Sequence, residues 1–115
     1  MRIGTTATHT FELPTNYLDA GYSVNQVKVI YAQDNVQKFA KEFSSVTNNQ
    51  ITVDLNVDQV GQFSPNKLAR IQIYILAKAT GKEDKVYSSD IMTIKVHEGL
   101  AVNPFGEEVA LAEEE

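Results

Sequence analysis

The sequence predicts an all-β chain, an immunoglobulin-like antiparallel β-sandwich of six to seven strands followed by an acidic C-terminal tail. Three observations carry that prediction. Apolar residues recur at every second position in several separate stretches, polar turn clusters lie between those stretches, and none of them has the length and 3.6-residue period of a useful helix. Two antiparallel sheets packed face to face accommodate this pattern, and a small closed barrel is the alternative that periodicity leaves open.

In chain order, Phe11 and Leu13 mark a first strand, and Val27, Val29 and Tyr31 mark a second. Within "KVIYAQDNVQKF", Asp34-Asn35 supplies two residue types that tolerate positive φ, so a tight turn should return the chain into a third strand over Val36–Phe43. The inward Val and Tyr side chains of this hairpin should build the core, and its Lys and Gln residues should face solvent. "TNNQ" at 47–50 is a second turn, leading to the cleanest alternation in the chain, Ile51, Val53, Leu55 and Val57. In "NVDQVGQFSPNKLAR", Asp58 is placed to cap one helical turn that Gly61 and Pro65 would end, and this turn should bridge the two sheets. Ile71, Ile73 and Ile75 form the next strand, with Tyr74 on its outer face. "TGKEDK" at 80–85 is a turn, Ser88-Ser89-Asp90 should break or bulge the last hairpin, and Met92, Ile94 and Val96 close the sandwich. The domain therefore spans residues 1–97, and residues 98–115 form an acidic arm or tail.

A chain of 115 residues fits one domain with a core large enough to stand without staples, and it contains no cysteine to form them. No apolar run approaches the ~18 residues of a membrane-spanning helix, and the first fifteen residues lack the apolar stretch of a signal peptide. The formal charge is −5, of which the six glutamates of 98–115 contribute −6, leaving the body at +1. A nearly neutral body lacks the basic footprint that phosphate neutralisation requires, so nucleic acid is not an expected partner, and neither is a membrane.

The search for chemistry returns little. His9 and His97 are the sole histidines, and two imidazoles without a third ligand make a poor metal site; each is expected to be a surface residue near a strand end. Asp54 and Asp58 lack the ligand and glycine spacing of a calcium loop. The serines lie in no nucleophile turn, and the six glycines are too scattered for a phosphate loop and read as turn or terminus residues. No catalytic residue, cofactor site or metal site is assigned, and the chain is expected not to be an enzyme. Tyr17 and Tyr22 flank "LDAG" and are the candidates for loop recognition, although tyrosines there would equally cover the end of the core. In the tail, Leu100, Val102, Phe105, Val109 and Leu111 are apolar residues for which a solubilising segment has little use, and they are the candidate partner-binding positions.

Three stretches, "THTFELP" at 8–14, "VKVIYAQDNVQKFAKE" at 27–42 and "ARIQIYILAKATGKEDKVYSSDIMTIKV" at 69–96, together resemble a group of short proteins of tailed bacteriophages and prophages. In that group a "THTF-LP" opening, a "V-V-YAQ" strand, a "QIQ" strand and a "S--I-V-V" final strand recur in this order. The resemblance covers most of the chain and consists of strands and turns, so it carries over no functional residue. It implies a non-enzymatic virion protein with an Ig-like sandwich, assembled in the bacterial host cytoplasm. Capsid decoration or an auxiliary head or head-fibre role leads, with the major capsid protein, other virion proteins or further copies of the chain as partners. A tail or baseplate adaptor, or a module recognising host-surface glycan or protein, is the alternative.

Overall fold

The computed structural model describes residues 1–13 and 18–105. Tyr17, Val109 and Leu111 lie outside the described residues, so three of the candidate positions receive no structural account.

Among the described residues, seven strands form two antiparallel sheets. The smaller pairs β1 (Ala7–Glu12) with β4 (Gln50–Leu55), in register from Ala7 opposite Leu55 to Glu12 opposite Gln50. The larger has the order β3 (Val36–Phe43), β2 (Ser23–Gln33), β5 (Lys67–Lys78), with β6 (Lys85–Ser88) and β7 (Met92–Val96) sharing the far side of β5. The chain changes sheet between β1 and β2, between β3 and β4, and between β4 and β5. With β1 and β4 in one layer and β3-β2-β5-β6/β7 in the other, the pairing is that of the B–E and C′–C–F–G strands of an immunoglobulin-like sandwich.

The alternation read from the sequence places the core correctly. Val27, Val29, Tyr31, Ile51, Val53, Leu55, Ile71, Ile73, Ile75 and Val96 are all buried, and Phe11, Met92 and Ile94 pack partly buried against them. Tyr74 is on the outer face, its hydroxyl donating to Gln72 Oε1 at 2.9 Å. Asp34 and Asn35 have φ of 54° and 63°, the pair of left-handed residues that a two-residue hairpin turn needs. The SSD segment does bulge the sheet: three residues, Ser89 to Ile91, oppose Gln72 and Ile73, and they separate β6 from β7.

Four expectations need correction. The strand containing Ile51 ends at Leu55, and Val57 begins helix α1 (Val57–Val60). The cap of that helix is Asn56, not Asp58: Asn56 Oδ1 accepts from Gln59 N at 2.8 Å while Gln59 Oε1 accepts from Asn56 N at 3.0 Å. Asn56 prevails because the reciprocal capping box needs a side-chain acceptor three residues before a Glu or Gln. Gln33 does not face solvent; it continues the inward parity of Tyr31 and is 1% exposed. His9 is no free surface side chain, since its inward parity on β1 brings Nδ1 to 2.9 Å from the hydroxyl of Tyr31.

Candidate interaction surfaces

Connectors β1–β2, β3–β4 and β5–β6 gather at one end of the sandwich, because Glu12 pairs with Gln50 and Ser23 pairs with Lys78 there. The described part of the first connector is tied to the third. Tyr87 donates its hydroxyl to Asp19 Oδ2 at 2.8 Å, and Lys85 Nζ pairs with the same carboxylate. Those two hydrogen bonds, Lys85 first, hold the Asp19 carboxyl below its ordinary range, and the reciprocal bond raises Lys85. Tyr22 is half-buried in this cluster; its hydroxyl donates to Glu83 O at 2.7 Å, and the ammonium of Lys85 sits 5.0 Å from its ring centroid. The loop tyrosine singled out by the sequence thus fastens the first connector to the third.

A second surface lies beside the first strand. A groove of about 500 Å³ runs between β1 and the β6–β7 edge. Its walls include Phe11, Leu13, Tyr87 and Met92, Ile73 and Ile75 form its floor, and Glu12, Ser88, Ser89 and Asp90 stand around it. Ser89 shapes that edge. Its N–H donates to Ile73 O at 2.9 Å, and its Oγ accepts from Ile73 N at 3.0 Å, so one side chain replaces the ladder bond that the bulge removes. Alternation could not reveal this groove, because its walls come from strands distant in sequence and in different sheets.

The third surface is the start of the acidic segment. Met1–Ile3 runs parallel to the end of β7, with His97 N donating to Met1 O at 2.7 Å and Ile3 N donating to His97 O at 3.0 Å. Residues 98–105 then pass over this segment and α1. Arg2 Nη1 donates to Glu98 O at 2.6 Å, and Asn103 Nδ2 donates to Asp58 Oδ1 at 3.3 Å. Three glycines permit the close approach: a Cβ on Gly99 would lie 1.9 Å from Ile3 O, one on Gly4, which also has φ +90°, would lie 2.3 Å from Ala101 O, and one on Gly61 would lie 2.6 Å from Val102 Cγ1. With the backbone held in this way, Leu100 and Phe105 project outward at 105% and 70% exposure, while Val102, 55% exposed, sets its Cγ1 against Gly61 at the end of α1.

No protein-family model and no curated protein matches the chain. Among solved structures, it is similar to a crystal structure of a putative carbohydrate binding protein from Bacteroides uniformis, with 17% identity and a TM-score of 0.52. The alignment covers 80% of this chain and 51% of that one, so the chain spans about half the length of the structure it matches. At this identity the likeness concerns the fold alone.

Proposed function

We propose that the protein is a non-enzymatic binding module that serves as a structural component of a bacteriophage particle, most economically a capsid decoration or auxiliary head protein. The observation that carries this reading is the row Leu100, Val102 and Phe105, three large apolar side chains exposed on a backbone that Arg2, Gly4, Asp58 and Gly99 hold against the body. A pre-ordered segment loses little conformational entropy on docking, and exposed apolar side chains on such a segment fit a protein partner. The sequence resemblance to phage proteins supplies the particle as the setting.

Glycan recognition is the second reading, and the Bacteroides uniformis structure favours it at the level of fold. The tyrosine available for it is less well suited: Tyr22 has a lysine ammonium against its ring and a committed hydroxyl. A sugar would have to displace both.

The test is quantitative mass spectrometry of particles purified from the source phage, comparing the natural chain with a variant carrying Leu100→Ser, Val102→Ser and Phe105→Ser. The expected result is a copy number comparable to the major capsid protein for the natural chain and its loss for the variant. A few copies per particle would move the protein to the tail or fibre, and absence from particles would end the virion reading.

A further inference from the structure

We infer that the groove between β1 and the β6–β7 edge is a strand-accepting slot, which binds an extended segment of another polypeptide carrying apolar residues at alternate positions and flanking lysine or arginine. This inference concerns a surface to which residues 98–105 contribute no wall, and it stands independently of the phage reading.

The backbone makes the first argument. Leu13 N donates to Asn49 O in the β1–β4 register, so the odd-numbered residues of β1 turn their peptide groups toward β4. The alternation of an antiparallel ladder then points the N–H and C=O of Thr8, Thr10 and Glu12 the other way. Among the described residues nothing pairs with them there, since β1 has β4 as its one neighbour. Thr10 and Glu12 both line the groove. Their unpaired donors and acceptors are the template for β-strand addition.

The contrast between β3 and β1 makes the second. Edge strand β3 carries Lys38 and Lys41 and is bent by a register shift opposite Tyr31 and Ala32, devices that deter edge-to-edge pairing. Pairing of β1 is regular along its whole length, and it contains no lysine, arginine or proline. The β3 edge is guarded, and the β1 edge, which faces the groove, is open.

A neighbouring part of the same sheet edge already carries an added segment. Met1–Ile3 lies against the edge of β7, parallel to it, with Ile3 buried in the core at 6% exposure. A guest strand continuing that line past β6 would run antiparallel to β1, hydrogen-bond to Thr10 and Glu12, and direct alternate side chains onto Ile73, Ile75, Phe11 and Tyr87. Charge selects among guests. Glu12 and Asp90 stand at the groove, neither takes part in an ion pair among the described residues, and no lysine or arginine lines it. An acidic guest, the chain's own glutamate-rich terminus included, would bring like charges together; a basic one would not.

The experiment titrates the isotope-labelled full chain with a capped hexapeptide of alternating valine and threonine flanked by lysines, followed by amide hydrogen exchange. Thr10 and Glu12 amides should gain about tenfold protection at saturation, with Thr52 unchanged. The glutamate-flanked version should bind about tenfold more weakly, and a Glu12→Lys, Asp90→Lys double variant should reverse that preference. Thr10→Pro, which removes one outward N–H, should abolish binding, and the charge-reversal variant decides the matter if the proline variant fails to fold. The inference is overturned if millimolar peptide leaves the groove residues unshifted, if shifts occur without edge protection, or if Thr10 and Glu12 are already protected in the free chain. Shifts produced by cellohexaose but not by peptide would overturn it in favour of a glycan groove.

Discussion

Gln33 and His9 show how single residues acquire roles that their type does not announce. The Gln33 amide donates from Nε2 to Ser64 O at 2.9 Å and accepts at Oε1 from Ser64 N at 2.6 Å, so it closes the peptide of the α1–β5 linker as a neighbouring strand would. Gln33→Leu should cost about 1–3 kcal/mol in denaturant unfolding, because it leaves that peptide unpaired in the interior; an unchanged midpoint would reject this account. His9 stacks at 5.9 Å from Tyr31, which in turn stacks on Phe39 at 5.0 Å and meets Phe63 edge-on at 6.2 Å. Burial, and to a lesser degree the positive N-terminus, lowers the His9 pKa from 6.5. Below 6.5 the unfolded chain therefore takes up a proton more readily than the folded one, so the neutral ring stabilises the fold above that pH and the contribution is lost as pH falls through the folded value. The melting temperature should drop from pH 7 to pH 5, and His9→Gln should flatten that slope. An equal slope in the variant would place the pH dependence elsewhere.

At the scale of elements, short irregular segments decide how the strands are used. Asn56→Ala removes the reciprocal cap of α1 and should cost about 1 kcal/mol, whereas Asp58→Ala should leave the helix cap itself intact; comparing their urea midpoints checks the assignment. Ser89 is the corresponding residue of the β6–β7 bulge. Ser89→Ala leaves Ile73 N without its acceptor and should destabilise by about 1–2 kcal/mol, with increased amide exchange at Ile73. The "SSD" cluster revealed a break, since such residues compete with ladder bonds through their side chains. It did not reveal which oxygen would repair the ladder. Four-residue β6 also escaped the alternation pattern, because Val86 and Tyr87 are too few to display a period.

At the scale of the molecule, two layers of unequal width leave the β1 edge open beside β6, and the start of the acidic segment lies over the end of the sandwich. Because Leu100, Val102 and Phe105 are more than half exposed, replacing all three by serine should shift the melting temperature by no more than a few degrees while removing any partner that depends on them. Gly99→Ala should behave in the opposite way and loosen the segment, seen as faster proteolysis after residue 98, because its Cβ would collide with Ile3 O. The sequence by itself determined the all-β class, the strands that build the core, the Asp34-Asn35 turn and the helical bridge between sheets. Each follows from side-chain period or local backbone preference, which act over two to five residues. Only the tertiary structure decided that Gln33 closes the Ser64 peptide, that Tyr22 is fastened under lysines, that Gly4 and Gly99 admit the returning chain, and that β1 leaves a groove beside β6. These depend on which strands become neighbours across tens of residues, a property of topology that no local pattern encodes.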